Sequence, residues 1–162
     1  MLGESGADAS MEEIASRAGV GVGTVYRRFA SKDALIDELL RLALEELLGA
    51  AERALARTDG HGLEQLLRAF GQSFAEHARY ANLLLERRPD AAAQRRIQEA
   101  IGTLTARAVA ARAIGPAITA DDVTALASAM RGLVQAEPDR ADPGRWQRFL
   151  DLHLAGMRAE RG

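Results

Sequence analysis

The sequence contains no cysteine, which removes disulfides, thiolate metal sites and cysteine nucleophiles together and fits a reducing compartment. Lysine is nearly as scarce, because of the 21 basic side chains only Lys32 is a lysine. Aromatic residues make up 4% of the chain, so any core must be largely aliphatic. The net charge of −2 supplies no general basic field to draw the whole protein to nucleic acid. No apolar run approaches the roughly 18 residues of a membrane span. The N-terminal MLGESGADAS has neither the basic nor the apolar region of a secretion signal. Together these absences predict a soluble, cytoplasmic protein with no membrane partner.

What is present favours helix. Hydrophobic residues reach 48% of the 162 positions, with alanine and leucine foremost among them. A chain of this length makes one domain, or a compact body with a small appendage. No segment sustains an alternation of period two, so the expected class is all-α.

Local signals set the expected helices. Ser10-Met-Glu-Glu13 is a capping box, and Met11, Ile14, Ala15 and Ala18 follow on one face, up to Gly19, where a left-handed residue is wanted. A second short helix runs from about Val22 to Phe29. A small core of Ile14, Ala15, Ala18, Val20, Val25 and Phe29 is expected between the two. Ser31 caps a third helix whose apolar positions Leu35, Ile36, Leu39, Leu40, Ala43 and Leu47 carry it to about Leu55, where Thr58-Asp-Gly-His-Gly62 breaks it. Further helices are expected over Leu63 to Arg79, in a shorter piece through Leu83 to Leu85, from Pro89-Asp90 to about Ile114, and from the cap-like Thr119-Ala-Asp-Asp122 onward. A last one follows the loop from Glu137 to Gly144.

The stretch Gly19-Val-Gly-Val-Gly-Thr-Val-Tyr-Arg-Arg-Phe-Ala-Ser-Lys32 is the chemically suggestive one. Alternating glycines before a helix suggest a phosphate cradle, but such loops join a strand to a helix, and here a capped amphipathic helix precedes them. The Gly-Lys-Ser/Thr ending of a P-loop is also missing. Two short helices joined by a glycine turn, the second rich in aromatic and basic residues, instead form a helix-turn-helix pattern.

The ordered run Ile-Ala, Ala-Gly-Val, Gly-Thr-Val-Tyr, Phe and Ser-Lys-x-x-Leu over Ser10 to Leu35 resembles the DNA-binding segment of TetR-family transcriptional regulators. The resemblance implies a helix-turn-helix head over residues 1–46 and a helical ligand-binding and dimerisation domain over 47–162. It implies that Ser10, Thr24, Tyr26 and Lys32 hold DNA phosphates, with Ser10 offering a hydroxyl and a free amide. Val22, Gly23 and Arg27 then lie where the family meets base edges, with Arg28 beside them, and only Arg27 suits a bidentate contact to guanine. The family has a further helix before the motif, of which residues 1–9 resemble only the tail. Residues 1–33 carry four positive and five negative side chains, a net of −1. This 162-residue form is therefore expected to bind DNA weakly or not at all, and an upstream-extended form to bind.

The resemblance further implies a small-molecule effector and a homodimer whose last two helices pair across the interface. The implied effector pocket is expected near Phe70, Phe74, His77, Tyr80 and Trp146. The dimer contact is expected through Val123, Leu126, Met130, Val134, Phe149, Leu150 and Met157. His61, His77 and His153 are scattered, and Ser5, Ser73 and Ser128 have no histidine placed by sequence to activate them, so no cofactor, metal or catalytic residue is expected. The implied function is a ligand-responsive regulator, a repressor released from a double-stranded operator. The alternative is a helical ligand-binding or protein-interaction module that does not bind DNA.

Overall fold

A computed structural model of the chain describes residues 9–78, 90–136 and 143–158. These contain seven helices and no strand, so the fold is all-α: α1 (Met11–Ala18), α2 (Val22–Arg28), α3 (Lys32–Leu55), α4 (Gly62–His77), α5 (Ala91–Ala110), α6 (Ala120–Gln135) and α7 (Pro143–Met157). The short piece expected over Leu83 to Leu85, the residues before Ala9, and most of the loop from Glu137 lie outside the described residues.

The caps form where short-range chemistry demands them. The Ser10 hydroxyl accepts from the Glu13 amide at 3.2 Å, and the Glu13 carboxylate accepts from the Ser10 amide at 2.8 Å. Thr119 and Asp122 make the same reciprocal pair at the start of α6. The Ser31 hydroxyl accepts from the Ala34 amide, and the Asp90 carboxylate from the Ala92 amide, opening α3 and α5. Each such cap satisfies an amide that the helix itself leaves without a partner. Gly19 ends α1 at φ 68°, the left-handed region that glycine enters without steric cost. One expected terminus moves: α5 stops at Ala110 rather than near Ile114, since Arg112 turns left-handed at φ 55°.

Two apolar clusters organise the molecule. The small one joins Met11 and Ala15 of α1 to Val25 of α2, with Ile14, Phe29 and Leu35 packed against it. Ala18 and Val20, expected in that core, are instead exposed, because the turn at Gly19 carries the chain out to the surface. The large cluster unites α3 to α7 around Leu66, Leu67, Leu104, Val123, Met130 and Leu150. Burying each such leucine stabilises the fold by about 1.5–3 kcal/mol. The helix α3 belongs to both clusters without a break, so the boundary expected at residue 46 falls inside one continuous helix.

Where α4 meets α7, Gly71 is the seat of Trp146. A Cβ on Gly71 would overlap ring atoms Cε3 and Cζ3 and lie 3.0 Å from Cδ2. The ring is 5% exposed, and its indole N–H has no hydrogen-bond partner among the described residues. The ring's apolar burial offsets that cost. On the outer side of the same pair, Arg68 joins Glu64 and Asp151, each at 2.8 Å. The amide of Gly115 donates to the Met157 carbonyl at 2.7 Å, which ties the end of α7 to the turn before α6.

Candidate functional site

The second helix buries one side chain, Val25, and leaves Val22, Gly23, Thr24, Tyr26, Arg27 and Arg28 exposed. The helix is therefore held from one side, with its expected base- and phosphate-facing residues on the open remainder. Among the described residues Tyr26 and Val22 are two of the few large apolar-bodied side chains that are exposed, at 45% and 40%. Exposed aromatic and β-branched residues around two arginines are what a groove-entering helix needs and what a helix facing only water does not.

The charged groups of this face have restraints of their own. The Tyr26 hydroxyl donates to Glu12 of α1 at 3.2 Å. The Glu12 charge raises the Tyr26 phenol above its ordinary pKa, while Glu12 is itself lowered, first by its backbone amide and then by the Tyr26 hydroxyl. The Arg27 guanidinium donates to the Thr24 hydroxyl at 3.3 Å, which holds it over the same turn of helix. Arg28 stacks 5.8 Å from the centre of the Phe29 ring and lies 3.9 Å from Glu38. That ion pair is weak, since Glu38 is gripped by Arg41 at 2.7 and 2.8 Å and the Arg28 side chain is 73% exposed. Lys32, at the first position of α3, is partly buried beside the Ser31 cap.

Ser10 differs from expectation. Its amide is not free, because Glu13 occupies it, and the first turn of α1 carries both Glu12 and Glu13. Two carboxylates at a helix N-terminus already complement its dipole and repel a phosphate, so Ser10 is an N-cap with only a hydroxyl proton to offer.

The body contains a cavity of about 280 Å³ between α3, α4, α5 and α6. Of the residues expected there, Phe70, Phe74 and His77 line it. Tyr80 lies outside the described residues, and Trp146 is not among the lining residues, since its ring is committed to Gly71. The buried part is formed by Ala43, Phe70, Ser73, Ile101 and Ala127, and the exposed part by Gln94, Gln98, Ser128 and Arg131. His77 Nδ1 lies 2.7 Å from the Ser73 carbonyl, which places the ring proton on that nitrogen. Leu40, Ala43, Leu44 and Leu47 bring α3 into the wall, so the helix that starts at Lys32 also lines the cavity.

Apolar stripes alone do not reveal Gln94, Gln98, Thr124, Ser128, Arg131 and Gln135 as lining residues. The signal available is the set of polar residues on α6 at 124, 128, 131 and 135, a helical row beside the apolar one.

The residues assigned to the dimer contact lie largely inside the protomer. Val123, Met130 and Leu150 are 0% exposed, and Leu126 and Val134 are 7% exposed, so this stripe covers the chain's own core. Phe149 and Met157 are partly exposed. Among the residues these helices leave open, the small and apolar ones are Ala125, Ala129 and Gly132 on α6, Ala136 just after it, and Leu152, Ala155 and Gly156 on α7, beside charged ones such as Asp121, Arg131, Arg148 and Asp151. Among the described residues no group of three or more His, Asp or Glu side chains is arranged to hold a metal ion, and no helix is long and apolar enough to cross a membrane.

Comparison with known proteins agrees with this geometry. Residues 1–39 match the family model of bacterial regulatory proteins, tetR family. The fold is similar to a TetR transcriptional regulator of Streptomyces coelicolor, at 28% identity over 94% of this chain and 89% of that one, with a TM-score of 0.68. It is also similar to the TetR family transcriptional regulator PfmR of Thermus thermophilus, at 24% identity over 93% and 90% of the two chains and a TM-score of 0.69. The ketosteroid transcriptional regulator KstR2 of Mycobacterium tuberculosis shares the fold at 21% identity, covering 94% and 86%, with a TM-score of 0.66. No curated protein matches the chain. The chain thus carries the tetR-family match in residues 1–39, where the exposed α2 face lies, and over nearly its whole length it has a fold similar to that of these transcriptional regulators.

Proposed function

We propose that the protein is a ligand-responsive repressor, released from a double-stranded operator when a small molecule enters the cavity of its body. The observation that carries this reading is the continuity of α3. One uninterrupted helix starts at Lys32 beside the DNA-facing α2 and supplies Leu40, Ala43, Leu44 and Leu47 to the cavity wall. A ligand that prefers one inclination of α3 changes the position of α2 with it, and its effect on DNA affinity is set by that preference.

In this account residues 1–46 act as the reading head and 47–162 as the sensing and pairing body. Arg27 reads a base, Thr24, Tyr26, Arg28 and Lys32 hold phosphates, and Val22 and Gly23 give close apolar or backbone contact. A homodimer places two heads on half-sites about one helical turn, roughly 34–36 Å, apart. Its contact is the open side of α6 and α7, supported by the small exposed residues Ala125, Ala129 and Gly132 of α6 and by the exposed Leu152 of α7. The competing module without DNA binding draws support from Glu12 and Glu13, which oppose phosphates beside α2.

Anisotropy titrations of duplexes enriched from a random pool separate the two readings. A regulator gives sequence-selective binding that weakens with salt, and Lys32→Ala reduces the salt slope by roughly one per subunit while affecting all sequences alike. No enrichment, or an unchanged slope, contradicts the proposal.

A further inference from the structure

The cavity has a chemical polarity that narrows its occupant. Its buried part is apolar except for Ser73, its exposed part holds the amides Gln94 and Gln98 with one guanidinium, Arg131, and the half-buried Gln135 lies one helical turn from Arg131. Among the described residues no aspartate or glutamate lines it, in a chain with 23 acidic residues. Some arginines facing the solvent are engaged by carboxylates, as Arg41 is by Glu38 and Glu45, Arg68 by Glu64 and Asp151, and Arg96 by Glu52, while others such as Arg95 and Arg148 have no carboxylate partner among the described residues but do not line the cavity. Arg131 has no such partner among the described residues. A guanidinium without a carboxylate, at the rim of an apolar cavity and next to neutral amide donors, is built to receive an anion whose remainder is apolar.

From this we infer that the ligand class is an amphipathic monocarboxylate, its carboxylate at Arg131 and its hydrocarbon body between Phe70, Phe74, Ile97 and Ile101. The inference rests on the proposed ligand-responsive function and deepens it by naming the chemistry of the effector. The volume of about 280 Å³ sets the size. It lies at the lower edge of small-molecule sites, so a chain of roughly eight to ten carbons suits it better than a polycyclic or nucleotide-linked ligand. An ammonium head is disfavoured by Arg131, and an alcohol leaves the guanidinium without its anion.

The test is calorimetric titration of the full chain, without DNA, with decanoate, decanol and decylammonium as probes. Decanoate is expected to bind at least tenfold more tightly than either of the others, as a charge-assisted hydrogen bond warrants. Arg131→Gln is expected to remove that tenfold preference while changing decanol affinity less than twofold. Arg148→Gln, at an exposed arginine of α7 that does not line the cavity, should leave both unchanged. Circular dichroism checks that the variants are folded. Equal affinity for decanoate and decanol, absence of decanoate binding, or a preference that survives Arg131→Gln overturns the inference. A separate anisotropy readout with bound duplex distinguishes the two levels: decanoate that binds through Arg131 without releasing DNA contradicts the repressor-release reading and leaves the ligand class standing.

Discussion

Replacing Gly71 with alanine perturbs the seat on which α7 rests. The added methyl would overlap Cε3 and Cζ3 of Trp146 and approach Cδ2 at 3.0 Å. The ring is 5% exposed, so it has no solvent side to retreat into. Gly71→Ala gains up to about 1 kcal/mol of helix propensity. Against this stands overpacking of a close-packed site, typically about 1–3 kcal/mol and more where a rigid ring is met by two atoms at once. A net loss of about 1–3 kcal/mol is expected. For a chain of this size that lowers the melting temperature by roughly 3–10 °C. Gly102 of α5 supplies the control, because a Cβ there meets nothing within 4 Å. Gly102→Ala should therefore be neutral or stabilising by up to about 1 kcal/mol. Urea denaturation followed by fluorescence reads the site directly, since Trp146 is the only tryptophan. If Gly71→Ala is as stable as Gly102→Ala and leaves the emission unchanged, the account of α7 packing is wrong.

Three further outcomes are expected. Glu12→Gln keeps an oxygen to accept from the Tyr26 hydroxyl but removes a charge beside α2, so duplex affinity measured by anisotropy at low salt should rise by at most about fivefold, one Coulomb contact through water; a fall would place Glu12 among the groups that favour binding. Arg57 and the His61 amide hold Asp59 from the ordinary 3.8 down to about 2. A carboxylate lowered on folding contributes stability above its unfolded pKa and loses it as pH falls through the folded value. The stability gap between the wild type and Asp59→Asn should therefore be present near neutrality and shrink from about pH 4 to pH 2, by denaturant melts at each pH; a gap that widens there refutes the pairing. Leu152, 61% exposed on α7, should weaken the proposed dimer when changed to glutamate, and sedimentation that shows wild type and variant equally monomeric removes the dimer from the account.

Local chemistry was legible in the sequence and long-range covering was not. The capping pairs Ser10 with Glu13 and Thr119 with Asp122 can be read directly, because their partners lie three residues apart. Gly19 likewise ends α1 by a local conformational rule. By contrast, periodicity identifies Val123, Leu126, Met130 and Val134 as an apolar stripe but cannot say whether the chain or a second copy covers it. The chain itself covers it. Trp146 escapes a sequence reading for the same reason, since its seat at Gly71 is 75 positions away and glycine leaves no periodic trace. The end of α5 moves because Arg112 adopts a left-handed turn that its residue type does not announce, whereas Gly115-Pro116 advertises a later stop. On α2 the motif places the exposed residues correctly as a set, but does not show that Glu12 engages Tyr26.

The central claim is that the open face of α2 reads base sequence through Arg27. It is tested most directly by the ratio of affinities for an enriched duplex and a scrambled one, measured by anisotropy for the wild type and Arg27→Ala at the same salt concentration. The account predicts a preference in the wild type that Arg27→Ala reduces by about 1–3 kcal/mol, with little change for the scrambled duplex. An identical ratio in both proteins would contradict it.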